Sequence, residues 1–120
     1  VGTDATTTPL VIAGAPATWL IPGSDIGDSW QTPGFDAAAW TSADTGLGYG
    51  SSYTSVIGAG GNTNSMWFGN PSVYLRVPFE VADPATISSL ALDMRYDDGF
   101  VAYLNGTRFT EALGQFRHKD

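Results

Sequence analysis

Hydrophobic and polar positions alternate most clearly over residues 73–81, where Val73, Leu75, Val77, Phe79 and Val81 interleave with Tyr74, Arg76, Pro78 and Glu80. A period of two sustained over that stretch predicts a strand with one buried face. Pro78 offers no amide to a ladder, so the strand belongs at an edge or carries a bulge there. A second alternation, Leu90, Leu92 and Met94 against Ala91, Asp93 and Arg95, predicts another strand, although Leu90 and Met94 also suit a short helix. Residues 100–104 predict a third. Asn105-Gly106 follows at once, the residue pair that tolerates the two positive φ values of a type I′ hairpin turn, and residues 107–110 predict the returning strand.

Nearer the start the pattern is shorter. The apolar run of residues 17–22, with Trp19 and Leu20, predicts a first strand ended by Gly23-Ser24-Asp25. Residues 1–16 are Thr-rich and broken by Pro, and read as a linker or leading arm whose Leu10-Val11-Ile12 can add an edge strand. Two loop-and-turn units come next, Asp28-Ser29-Trp30 and Phe35-Asp36-Ala37-Ala38-Ala39-Trp40. Asp36 is placed to cap one helical turn across the three alanines. Residues 46–72 hold glycines at 46, 48, 50, 58, 60, 61 and 69 and asparagines at 62, 64 and 70. Such a tract supplies positive φ and close backbone approach rather than core, so it predicts a long excursion interrupted at most by a short strand over residues 53–57.

Composition narrows the class. At 120 residues, 42% hydrophobic and only 14% charged, the chain is a single domain's length and too apolar for a disordered tail. Fifteen glycines and seven prolines are many for a helical bundle and indicate strands joined by turns. The net charge is −7, and five Asp precede the first basic residue, Arg76, so a phosphate backbone is repelled and nucleic acid is not the expected partner. Cysteine is absent, which removes disulfides, thiolate metal sites and thiol nucleophiles. The single histidine, His118, is the third residue from the end, so no nucleophile and base pair is assembled without it and an enzyme is not expected. The chain opens on Val1 and has no run of about eighteen apolar residues, which reads as a processed or excerpted chain without membrane insertion.

The order of motifs then carries a resemblance. Residues 19–23, Trp30, Phe35-Asp36-Ala37-Ala38-Ala39-Trp40, Leu47-Gly48-Tyr49-Gly50, Tyr74-Leu75-Arg76-Val77-Pro78-Phe79-Glu80-Val81 and Asp97-Asp98-Gly99-Phe100-Val101-Ala102-Tyr103-Leu104-Asn105-Gly106 occur in the order typical of galactose-binding-like jelly-roll modules. These accompany catalytic domains in large bacterial exported proteins, and the chain is similar over residues 17–106 to the sugar-binding jelly roll of beta-galactosidase-type glycoside hydrolases. The resemblance implies an all-β antiparallel β-sandwich of jelly-roll type over residues 17–120. It also implies a secreted or cell-surface location and a noncatalytic accessory role, often carbohydrate binding. Such modules continue for several strands past the Asn-Gly hairpin, whereas only fourteen residues follow Gly106 here. The sandwich is therefore expected to lack its last strands and to be completed by further chain or by other subunits. An open sheet invites strand addition, which makes a homo-oligomer, or attachment to other domains of a larger protein, the second functional reading.

Candidate chemistry follows from both readings. Trp67 sits among Asn62, Asn64 and Asn70, where amides that pair with sugar hydroxyls surround a flat aromatic. It either stacks on a pyranose or folds back with Phe68 to anchor the loop. Tyr49 and Tyr53 are candidate second platforms for a polysaccharide or glycan. Trp30 and Trp40 are either sugar platforms or, as the resemblance implies, residues that pack the ends of the sandwich. Asp97-Asp98-Gly99 offers paired carboxylates to a glycosidic bond or to calcium, or, as the resemblance implies, fixes the hairpin; adjacent residues of a strand point to opposite faces, so the two do not converge on one glycosidic bond. Asp25 and Asp28, with Asp36, offer the hard oxygen ligands of a structural calcium site, without an EF-hand spacing. Asn105-Gly106-Thr107 matches a glycosylation acceptor, which the hairpin explains without glycan.

Overall fold

A computed structural model describes residues 8–50, 53–68, 72–87, 89–96 and 99–112, with residues 67, 68 and 109–112 described by backbone alone. Its regular structure is strands in antiparallel sheets joined by short 3₁₀ turns, and no α-helix occurs among the described residues. The fold class is all-β. The chain divides into two compact units, residues 1–25 with 37–82 and residues 26–36 with 83–120.

The first unit is built on a three-stranded antiparallel sheet in the order β2-β1-β3, with β1 Pro16–Leu20, β2 Thr41–Asp44 and β3 Tyr74–Arg76. The register sets Ala17 opposite Ala43, and Trp19 opposite both Thr41 and Leu75. Side chains alternate across a strand, so these share one face. Ala17 and Ala43 are the buried apolar side chains of the described residues, and Gly61 and Thr63 are buried as well. Thr18 faces Ser42 on one side and Arg76 on the other, which makes the opposite face polar.

What covers the end of β2 is the glycine tract. The Asp44 amide donates to the Ala59 carbonyl at 2.8 Å, the Gly58 amide to Gly46 at 2.8 Å, and Gly48 and residues 61–63 exchange two further bonds at 3.0 and 2.8 Å. A parallel bridge between Gly48 and Asn62 completes the tie. Glycine is required by this closeness. A Cβ at Gly58 would fall on the Asp44 carbonyl and one at Gly61 on the Gly46 carbonyl. At Gly60, with φ +76°, it would lie 2.6 Å from the Ser42 oxygen. The Trp19 indole donates to the Gly60 carbonyl at 2.9 Å and fastens the tract to β1.

In the second unit β4 Phe100–Leu104 and β5 Thr107–Ala112 form the hairpin that Asn105-Gly106 predicts. Asn105 has φ +50° and Gly106 φ +89°, and Leu104 pairs with Thr107 across a two-residue loop. The register shifts at Ala102/Tyr103. Trp30, on the 3₁₀ turn Ser29–Gln31, meets the Tyr103 ring edge-on at 6.0 Å, and Tyr96 meets Phe100 likewise at 4.9 Å. The turn Pro84–Thr86 is capped by the Asp83 carboxylate, which accepts from the Ala85 amide at 3.1 Å.

Several sequence expectations need correction. Only residues 74–76 of the alternating stretch 73–81 form ladder pairs, because Pro78 cannot donate and the ladder ends before it. Leu90, Leu92 and Met94 belong to no ladder among the described residues, and all three are exposed. Leu10-Val11-Ile12 adds no edge strand. The chain turns back there, with the Ala15 amide on the Ile12 carbonyl, and the Thr45 hydroxyl accepts from the Gly14 amide at 3.0 Å. The three alanines form a turn closed by the Trp40 amide on the Ala37 carbonyl instead of a helical turn. Residues 53–57 hold consecutive turns closed on the Gly50 and Tyr53 carbonyls, not a strand. Conversely, β2 had no sequence signal.

Candidate functional site

The tie between residues 46–48 and 58–63 brings the segments bearing Tyr49, Asn62 and Asn64 alongside each other. Tyr49 directly follows the bridged Gly48 and is half-buried. Asn62 is itself the bridge partner and is exposed. Its side-chain oxygen accepts from the Asn64 amide at 2.9 Å, which fixes the amide plane and leads into the 3₁₀ turn Asn64–Phe68. Tyr53 is half-buried on the turn that closes on Gly50. The backbone of Trp67 lies on the 3₁₀ turn, while its side chain and the whole of Asn70 lie outside the described residues. The backbones that carry Tyr49, Asn62 and Asn64 are thus braced against each other by main-chain bonds.

A shallow groove of about 630 Å³ lies elsewhere on the same unit. The polar row Thr18, Ser42, Asp44 and Arg76 lines it together with Ala37, Ala38 and Pro78. Sequence reading missed this row because its members are spread over three strands whose register only the fold supplies. The one signal was Arg76, the first basic residue of the chain. A second groove, about 460 Å³, runs between residues 9–16 and 78–80 and is walled by Leu10, Ile12, Pro78 and Phe79. Among the described residues neither groove includes Tyr49, Tyr53, Asn62 or Asn64.

No family model matches the chain, and no curated protein or solved structure matches it either.

The calcium candidates Asp25 and Asp28 are both exposed, and they fall in different compact units. Asp28 precedes the turn Ser29–Gln31 without a side-chain capping bond. Among the described residues no group of three or more His, Cys, Asp or Glu is placed to hold a metal ion. The pair Asp97-Asp98 lies outside the described residues. No helix among them is long and apolar enough to cross a membrane.

Proposed function

We propose that the chain is a noncatalytic accessory module of a secreted or surface protein, a jelly-roll β-sandwich of galactose-binding-like type that binds carbohydrate through its glycine- and asparagine-rich tract. The observation that carries the reading is the bracing of that tract. Main-chain bonds from Asp44, Gly48, Gly58 and Thr63 hold it before any ligand arrives. A sugar site gains most from such preorganisation, because each polyol contact is weak and cannot also offset the ordering of a loop. The order of motifs from Trp19 to Gly106 supports the same family. Affinity electrophoresis across a panel of polysaccharides tests it. Retention should fall for Trp67→Ala and for Tyr49→Ala, each by roughly tenfold in affinity, equivalent to about 1.4 kcal/mol for a stacked ring. Retention of the unmodified chain by no glycan would refute it.

A second reading has its own observation. Ile87, Leu90, Leu92, Met94 and Val101 of the second unit are between 37 and 43% exposed. Apolar side chains gathered in one unit at that exposure favour a module that docks on further domains or on a second copy. Analytical ultracentrifugation over micromolar concentrations tests docking between copies. A homo-oligomer supports docking between copies, and a monomer at every concentration removes it.

A further inference from the structure

The chain has four asparagines, at positions 62, 64, 70 and 105, and only Asn105 is followed by glycine. Asn62 and Asn70 differ from Asn105 chemically. The residue after Asn62, Thr63, is buried and β-branched, and its amide is engaged by the Gly48 carbonyl at 2.8 Å. The Asn62 side chain is held as well, by the Asn64 amide. Asn70 precedes Pro71, which has no amide proton. Asn105 differs in each respect. It is exposed, sits at φ +50° at the tip of a two-residue loop, and is followed by an exposed Gly106 at φ +89°. The closing pair of the ladder is Leu104 with Thr107, so the Gly106 amide lies outside the ladder. A Cβ at Gly106 would meet nothing nearer than the Thr32 methyl at 3.7 Å, so the loop tip is uncrowded there.

We infer that Asn105 is a site of spontaneous backbone modification, in which the turn converts itself to aspartate and isoaspartate with water as the only co-reactant. The Gly106 nitrogen gives its proton to a solvent base and its lone pair attacks Cγ of Asn105. The new C–N bond closes a five-membered ring. The tetrahedral centre expels the side-chain nitrogen, which takes a solvent proton and leaves as ammonia. Water then adds to one of the two ring carbonyls of the succinimide. Opening on one side gives aspartate. Opening on the other gives isoaspartate, in which the main chain runs through Cβ and Cγ. Either product adds one negative charge to a chain already at −7. Isoaspartate also lengthens a loop whose two positive φ values match the strand twist only at two residues, so the Leu104–Thr107 pair is lost and the hairpin opens from its tip.

The test incubates the folded 120-residue chain in mildly alkaline buffer at physiological temperature. Conversion is followed by peptide mapping with mass spectrometry and by labelling with an isoaspartyl methyltransferase. Conversion at Asn105 should exceed that at Asn62 and Asn64 by at least an order of magnitude and yield both products. Asn105→Gly, which keeps a pair suited to a type I′ turn, should retain the hairpin and release no ammonia from this site. Ion exchange separates the converted chains by their added charge. Among these the isoaspartate fraction should exchange β4 and β5 amides faster than the aspartate fraction. An Asn105 that stays intact, that converts no faster than Asn62 and Asn64, or that converts only in denaturant overturns the inference. Equal amide exchange in the two fractions overturns the opening of the hairpin.

Discussion

Replacing Gly60 by alanine tests whether backbone crowding holds the first unit together. Its φ of +76° costs an L-residue about 1–2 kcal/mol. The new Cβ would also stand 2.6 Å from the Ser42 oxygen and 3.3 Å from the Ala43 Cα. Both obstacles are main-chain atoms of β2, which cannot rotate away as a side-chain tip can, so an overpacking cost of about 1–3 kcal/mol is added. The sum is about 2–5 kcal/mol, a large share of the roughly 5–15 kcal/mol that stabilises a domain. Two controls divide the terms. Gly50→Ala meets positive φ, +99°, with no atom within 4 Å, and should lose only the conformational part, about 1–2 kcal/mol. Gly23→Ala meets neither obstacle and should change stability by less than about 1 kcal/mol, in the stabilising direction. Urea unfolding followed by tryptophan fluorescence reads the series, and the midpoint for Gly60→Ala should fall by about 1–3 M at an unchanged slope. A midpoint no lower than that of Gly50→Ala would refute the crowding argument.

Trp19→Phe keeps most of the ring but removes the donor to the Gly60 carbonyl, and should lower stability by about 0.5–1.5 kcal/mol in the same assay. Combined with Gly60→Ala its effect should be less than additive, since both act on one contact. In the second unit, Trp30→Leu removes the edge-on contact with Tyr103 and should cost about 1 kcal/mol, visible as faster hydrogen exchange of β4 amides.

How far these features were legible in the sequence depended on whether their cause was local. The Asn105-Gly106 turn was legible because two adjacent residues fix both φ values without help from elsewhere. β1 was legible from its Trp-Leu run. β2 was not, because its sequence, Thr-Ser-Ala-Asp, places a single small apolar residue inward, and Ala43 must be small where Gly60 lies against it. A core made of backbone sends no bulky-hydrophobe signal. Leu90, Leu92 and Met94 erred in the opposite direction: their alternation defines a face, but a strand also needs a neighbour to pair with, which alternation cannot supply. The candidate platform divided the same way. Asn62 and Asn64 were singled out by composition, while the bridge that sets Asn62 beside Gly48 joins positions fourteen apart and is visible only once folded.

The bonds that tie residues 44–48 to residues 58–63 run from main-chain amide to main-chain carbonyl, and this separates the shape of the tie from the identity of its outward side chains. Positions 54, 55, 59 and 65 are exposed and none donates or accepts through its side chain in that brace. With glycine kept at 58, 60 and 61, such positions are free to diversify while the frame stays constant. On the proposed carbohydrate-binding reading, such a surface could be retuned from one ligand to another by single substitutions at these positions.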